Sequence, residues 1–233
     1  MLPSKLIHVH ASSEEAKNFI LDVNVLGGAR TVHPPAISTD YVSGLQHDTL
    51  VINTDLAMQY LMQRFISNGG RVSQLNVTDI KGAFAQFSIV VNCTGLGSRE
   101  LFNDPSMYAA RGQVVLVRAK DDVTVIQTDE HGKNSLGYVV PRHRDIVLGG
   151  TYQVGNESLL VSAQDTADIL RKTANMTSGA LAADKIEILG EKVGLRPCRP
   201  EVRLEAERFG GNRVVVHNYG HGAICAFSRA ARG

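Results

Sequence analysis

The stretch FSIVVNCTGLGSREL, residues 87–101, decides how the chain folds. Phe87-Ser88-Ile89-Val90-Val91 is an almost continuous apolar run of strand length. Such a run predicts a strand covered on both faces, as in a parallel sheet. Asn92-Cys93-Thr94-Gly95-Leu96-Gly97 follows, small residues that make a tight turn, and Ser98-Arg99-Glu100-Leu101 opens a short helix.

Working outward, the clearest helix begins just after Asn53 or Thr54 as cap. Met58, Leu61, Met62 and Phe65 fall at i, i+3, i+4 and i+7, and Asn68-Gly69-Gly70 stops it. Arg71–Val77 reads as a strand, residues 1–20 as the end of a helix and a connection, and residues 21–52 as Gly/Pro-broken with short apolar runs. Strand, helix, strand, strand and Gly-rich turn is part of a nucleotide-binding α/β layout. After Pro105 the texture changes to short strands near 113–118, 123–127, 137–141 and 146–152, and YVVPRHRDIVLGGTYQ (138–153) reads as a β-hairpin in an antiparallel sheet. Ser162-Ala163-Gln164-Asp165 is a capping box for a helix to about Thr173. Strands follow near 186–196 and 213–217, the last returning to the parallel sheet and running into a glycine turn, HNYGHG (217–222), that presents backbone N–H groups.

At 233 residues the chain is long enough for one large domain or two interleaved ones. Its 43% hydrophobic and 20% charged content is ordinary for a globular protein. A net charge of +1 without a basic cluster gives no electrostatic case for nucleic acid or a membrane surface. The three cysteines, Cys93, Cys198 and Cys225, are too scattered for a disulfide framework or a CxxC metal site, so an intracellular, reduced setting is expected. His217 and His221, like His8 and His10, lack a Cys or carboxylate at ligand spacing, and no metal is expected.

The G-x-G-x-x-G fingerprint is absent; Gly95–Glu100 and Gly220–Cys225 are near misses that each lack the third glycine. Taken together, however, V-V-N-C-T-G-L-G-S-R-E-L (90–101), A-R-G-Q-V-V (110–115), G-E-K-V-G-L-R-P-C-R-P-E-V-R-L-E (190–205) and V-V-H-N-Y-G-H-G (215–222) resemble the D-amino-acid oxidase family, which includes D-aspartate oxidase. The order and rough spacing of the segments also match. The resemblance implies an α/β fold in which a partial FAD-binding, Rossmann-like parallel sheet (54–108 and 198–233) is interleaved with an antiparallel-sheet substrate domain (1–53 and 109–197).

On that resemblance Arg196 corresponds to the arginine that grips the substrate carboxylate, and a planar guanidinium does fit a carboxylate bidentately. The alternative for Arg196 is a structural ion pair with Glu191 or Glu201, a role expected of Arg199 instead. Tyr138 corresponds to the tyrosine whose hydroxyl also contacts the carboxylate. Asn92, Cys93, Thr94 and Gly95 correspond to the turn against the FAD, and Val77 to a strand residue near the adenine. His217, Asn218, Tyr219, Gly220, His221, Gly222 and Ala223 correspond to the segment whose backbone meets the flavin ring. Arg111-Gly112-Gln113 corresponds to the crossing between the two domains, where a structural role is equally expected.

The implied activity is FAD-dependent oxidative deamination of D-amino acids, acidic or neutral, to 2-oxo acids, ammonia and hydrogen peroxide, by hydride transfer to the flavin. The implied partners are a small D-amino acid and oxygen, with a homodimer as a further expectation and a cytoplasmic or peroxisomal location by family. The family's opening strand, glycine fingerprint and helix have no counterpart before Met1, Cys225 stands where a further glycine is expected, and no S-K-L address ends the chain. The alternative reading is therefore a catalytically inactive, truncated family member acting as a binding protein. A related FAD family acting on glycine or sarcosine is disfavoured by G-L-R-P-x-R-P. Tyr152 follows G-G-T where the D-aspartate branch places a basic residue, and His131 stands where a second cation is expected, so the substrate branch stays open.

Overall fold

Alternation of apolar and polar residues builds the larger sheet. In this computed structural model, which describes residues 2–10, 29–34, 37–119, 123–128 and 135–222, Leu2–His10 forms β1. It pairs antiparallel with β3 (Ser43–Val51), which in turn pairs with β2 (Arg30–Val32), and parallel with β6 (Val125–Thr128). Then β7 (Ser135–Pro141), β8 (Ile146–Thr151) and β5 (Tyr108–Ala119) follow antiparallel, giving the order β2-β3-β1-β6-β7-β8-β5. In register, Ile7, Ile126, Val139, Leu148 and Val115 form one row, and all five lie in the buried core. One residue along each strand, His8, Gln127, Tyr138, Gly149 and Val114 form a row on the opposite face, because successive side chains alternate.

Helix α4 (Ala163–Met176), the last of four helices named below in chain order, covers the core face. Ser162 caps it, its hydroxyl accepting from the Asp165 N–H at 3.2 Å. It packs on β7 and β8 and buries Ile169 and Met176, each of which contributes about 1.5–3 kcal/mol by leaving water.

The described chain divides into two compact units: Met1–Arg71, Gly112–Tyr152 and Leu160–Val193 form the first, and Val72–Arg111, Gln153–Leu159 and Gly194–Gly233 the second. The second unit holds β4 (Ile89–Asn92), a 3-10 turn (Gly95–Gly97), α3 (Ser98–Leu101), α2 (Ile80–Phe84), β9 (Gln153–Val154), the latter part of β10 (Ile186–Arg208) and β11 (Val214–His221). Here β4 runs parallel to β11, and β11 antiparallel to β10. The units divide between Arg111 and Gly112, and α1 (Thr54–Ser67) lies in the first unit.

Four local expectations are corrected. Residues 2–10 form a strand rather than a helix end, because the β1 alternation buries Ile7 and Val9 against the core. Arg71–Val77 forms no strand: no described strand pairs with it, and Val72, Leu75 and Val77 are exposed. The apolar run at Ile89–Val91 is parallel as expected, yet Ile89 and Val91 are exposed, so only one face of it is covered. HNYGH continues strand β11 instead of forming a turn, with Gly220 and Gly222 at φ 87° and 63°. The expected helix at 54–67 is present, capped by Asn53 accepting from the Leu56 N–H, but none of its residues is buried.

Candidate functional site

Within the second unit the turn after β4 is held by side chains rather than left to glycine. Asn92 Oδ1 accepts from the Thr94 N–H at 3.0 Å and from the Thr94 hydroxyl at 2.8 Å. Asn92 Nδ2 lies 3.1 Å from Ser98 Oγ and 3.3 Å from His217 Nδ1. His217 is fully buried on β11, its ring edge-on to Phe102 at 4.7 Å, and its Nε2 is 3.1 Å from Glu207 Oε2 on β10.

A second lock lies two residues along the same strand. The Tyr219 hydroxyl donates to Asp104 Oδ2 at 2.8 Å and accepts from Arg203 at 2.9 Å. Asp104 also receives the Ser106 N–H at 3.0 Å and Arg199 Nε at 3.1 Å. Burial alone would raise the Asp104 carboxyl, but the Tyr219, Ser106 and Arg199 donors together hold it below the usual carboxylate range. Burial also raises the Tyr219 phenol, the Arg203 donor opposing and the Asp104 acceptor reinforcing that shift. Arg203, Glu205 and Glu207 share one face of β10 by their spacing of two, opposite Tyr219, His217 and Val215.

Three segments meet in this unit. A β-carbon added at Gly95, whose φ is 56°, would stand 3.2 Å from Pro197 Cβ. The Gly222 N–H donates to the Pro197 carbonyl at 2.9 Å. A β-carbon at Gly220 would come within 2.8 Å of Arg199 Cβ, closer than real side chains tolerate, so glycine is required there both by space and by its φ of 87°. The R-P-C-R segment therefore packs against both the N-C-T-G turn and the G-H-G segment. Pro200 sits in the register shift of β10 between Cys198 and Arg203, where a missing N–H breaks no ladder bond.

In the first unit Tyr138 is half-buried on the non-core face of β7. Its ring lies over Gly149, where a β-carbon would overlap it, and its hydroxyl is 3.0 Å from where a Gly150 β-carbon would stand. The G-G-T motif thus makes the shelf that carries the phenol. Gln113, fully buried beside the crossing, donates to the Ser162 carbonyl and the Thr166 hydroxyl and accepts the Ser162 N–H. In the second unit buried Arg111 donates to the Ser158 carbonyl and to Gln153.

The convergence of these three segments makes the comparison with known proteins informative. Residues 5–228 match the family model DAO, FAD dependent oxidoreductase. The chain belongs to the DAO family. It is 46% identical over 184 residues to the D-amino-acid oxidase of Dictyostelium discoideum, covering 78% of this chain and 52% of that protein. To human D-aspartate oxidase it is 36% identical over 186 residues, again covering 78% and 52%. The chain thus spans about half the length of these curated relatives. Its structure superposes on glycine oxidase from Geobacillus kaustophilus with a TM-score of 0.74, at 19% identity, over 94% of this chain and 65% of that one, which shows a shared fold.

The expected DAO site residues now separate into classes. Asn92 and His217 are buried and bonded to each other, and the Tyr219 hydroxyl is committed to Asp104 and Arg203, so their side chains hold the backbone in place. Cys93 and Asn218 are exposed, and Gly95 and His221 half-buried. Arg199 is the structural ion-pair partner, its carboxylate being Asp104, and Arg196 stands half-buried on β10 beside Pro197. Val77 is exposed in an irregular segment, and Ala223 and His131 lie outside the described residues. Glu207, Ser98, Asp104 and Arg203 were not singled out from sequence. The alternation R-L-E-A-E at 203–207 was the available signal for Arg203 and Glu207. No helix among the described residues is long and apolar enough to cross a membrane.

The family is FAD-dependent. Glycines at 95, 220 and 222 let the three segments pack closely, their β-carbon positions facing Pro197, Arg199 and Cys198. Two buried hydrogen-bond networks hold that backbone rigid.

Proposed function

We propose that the chain carries the substrate grip and the flavin-facing segments of an oxidase acting on D-amino acids. The observation that carries this reading is the meeting of G-L-R-P-C-R-P with the N-C-T-G and G-H-G segments, Pro197 packing against Gly95 and accepting the Gly222 N–H at 2.9 Å. Arg196 stands next to that Pro197, and Arg199 pairs with Asp104.

Bound FAD would supply the two-electron acceptor for the oxidation. The chain's own residues position the substrate. Arg196 would bind the substrate carboxylate bidentately and so orient the Cα–H, and the family resemblance assigns Tyr138 as a further carboxylate donor. No strong protein base is needed when that hydrogen leaves as hydride. The 2-imino acid then hydrolyses to a 2-oxo acid and ammonia, and oxygen is reduced to hydrogen peroxide. Cys93, Thr94, Gly95, Asn218, Gly220, His221 and Gly222 are the residues that the family resemblance assigns to the cofactor, and of these Cys93, Thr94 and Asn218 are exposed. Tyr152, half-buried and uncharged after G-G-T, favours neutral over acidic side chains. Pairing of two copies completes the reading, with its test in sedimentation of the purified chain.

The deciding experiment is the visible spectrum of the purified chain after incubation with FAD and desalting. The expected result is a retained flavin band that bleaches anaerobically with D-alanine, more slowly with D-aspartate, and not with L-alanine. A chain that keeps no flavin, or bleaches equally with both enantiomers, overturns the proposal.

A further inference from the structure

Glu207 lies on β10 away from every motif, with its side chain 46% exposed, yet its Oε2 meets the Nε2 of a histidine that has no exposure at all. Asn92 decides what that contact means. Its Oδ1 takes two bonds from Thr94, one of them from a backbone N–H that can only donate. The amide orientation is thereby fixed, and Nδ2 is the atom presented to His217 Nδ1. An amide nitrogen has no lone pair to offer, so Nδ1 must be the accepting nitrogen and the ring proton belongs on Nε2, facing Glu207.

We propose that Glu207 is a positioning residue for the flavin-facing turn, acting through His217 and Asn92. By accepting from Nε2 it selects the Nε2–H tautomer. That tautomer leaves Nδ1 to accept from Asn92, and the amide so oriented turns Oδ1 to hold Thr94. Without the carboxylate, a proton on Nδ1 would meet the Asn92 Nδ2 hydrogens, and the amide would have to rotate. Thr94 would then lose both bonds that close the turn. Arg203 Nη2 donates to the same Glu207 oxygen at 3.2 Å and holds the carboxylate in place.

The assignment of this turn to the cofactor rests on the function proposed above, but the chain of bonds is measurable without flavin. Long-range proton–nitrogen spectra of the uniformly nitrogen-15-labelled chain read the His217 tautomer, and amide exchange reads the Thr94 N–H. The expected wild-type tautomer is Nε2–H. Glu207→Gln, whose Oε1 still accepts, keeps that tautomer and changes Thr94 exchange less than about twofold. Glu207→Ala and Asn92→Ala mix the tautomers and speed Thr94 exchange about tenfold, the loss of roughly one hydrogen bond. Amides of the β4–β11 ladder, such as Val216, should change less than about twofold in all three variants, separating positioning from loss of structure. A wild-type proton on Nδ1, or Glu207→Ala with wild-type Thr94 exchange, overturns the proposal. FAD titration of the same samples tests the cofactor reading separately. Affinity should fall with Thr94 protection, and a wild-type chain that binds no FAD sinks the cofactor reading while the tautomer and exchange still decide the positioning role.

Discussion

Replacing Tyr219 by phenylalanine removes one oxygen and little else, and the structure says what that oxygen does. It donates to Asp104 Oδ2 at 2.8 Å and accepts from Arg203 at 2.9 Å, in a residue only 2% exposed. Arg203 keeps Glu205 and Glu207 as partners, so its loss is small. Asp104 keeps Arg199 and the Ser106 N–H but loses a charge-assisted bond in a site 6% exposed. A hydrogen bond to a buried charge is worth about 1.5–3 kcal/mol, so the variant should lose about 2 kcal/mol, or roughly 4–8 °C in Tm for a chain of this size.

The sign with pH is fixed by the carboxyl. Its folded value lies below the ordinary 3.8, so its contribution is fully present above pH 3.8 and disappears as pH falls through the folded value. Once Asp104 is protonated, Tyr219 makes only a neutral bond worth about 1 kcal/mol. Urea unfolding of both proteins, followed by far-ultraviolet circular dichroism, should therefore show a stability difference of about 2 kcal/mol at pH 7 that narrows as the pH falls through the folded Asp104 value, below 3.8. A difference below about 0.5 kcal/mol at pH 7, or one that widens as the pH falls below 3.8, refutes the assignment of Tyr219 as a donor to an ionised Asp104.

The other predictions address the grip, its shelf and the crossing. Arg196→Leu should leave flavin retention intact and slow anaerobic bleaching by low concentrations of D-alanine roughly thirtyfold or more, the loss of about 2 kcal/mol or more of carboxylate binding; unchanged bleaching removes Arg196 from the site. Gly149→Ala puts a β-carbon into the Tyr138 ring, so it should cost about 1–3 kcal/mol of stability by thermal unfolding and weaken substrate binding as the phenol moves. A neutral result would mean the ring does not rest on Gly149. Gln113→Leu strands the Ser162 N–H, while the Ser162 carbonyl keeps the Thr166 N–H, and should cost about 1–3 kcal/mol in urea unfolding, with amide exchange rising first at the start of α4.

What was legible in the sequence divides along physical lines. The hairpin at 138–153 and the Ser162 cap are set by local periodicity or turn chemistry, which sequence carries directly. Strand β1 was misread because Lys5–His10 is short and ambiguous alone. Its identity comes from β3 and β6 on either side, which only tertiary structure supplies. Arg71–Val77 failed in the opposite direction: it has strand-like residues but no strand to pair with among those described.

The site shows the same limit at the level of single atoms. A motif identifies which residues stand near a ligand, but not whether a side chain faces the ligand or the protein behind it. Asn92, His217 and Tyr219 sit in motif positions and face inward, where a polar group must find a partner or cost its desolvation. Each found one that lies outside the motifs or far along the chain: His217 takes Glu207, Tyr219 takes Asp104, and Asn92 reaches His217 across 125 residues. Exposed Cys93 and Asn218 lie next to these buried anchors, and strand alternation makes this pattern necessary: a backbone can be aimed at a ligand only if every second side chain anchors it from behind.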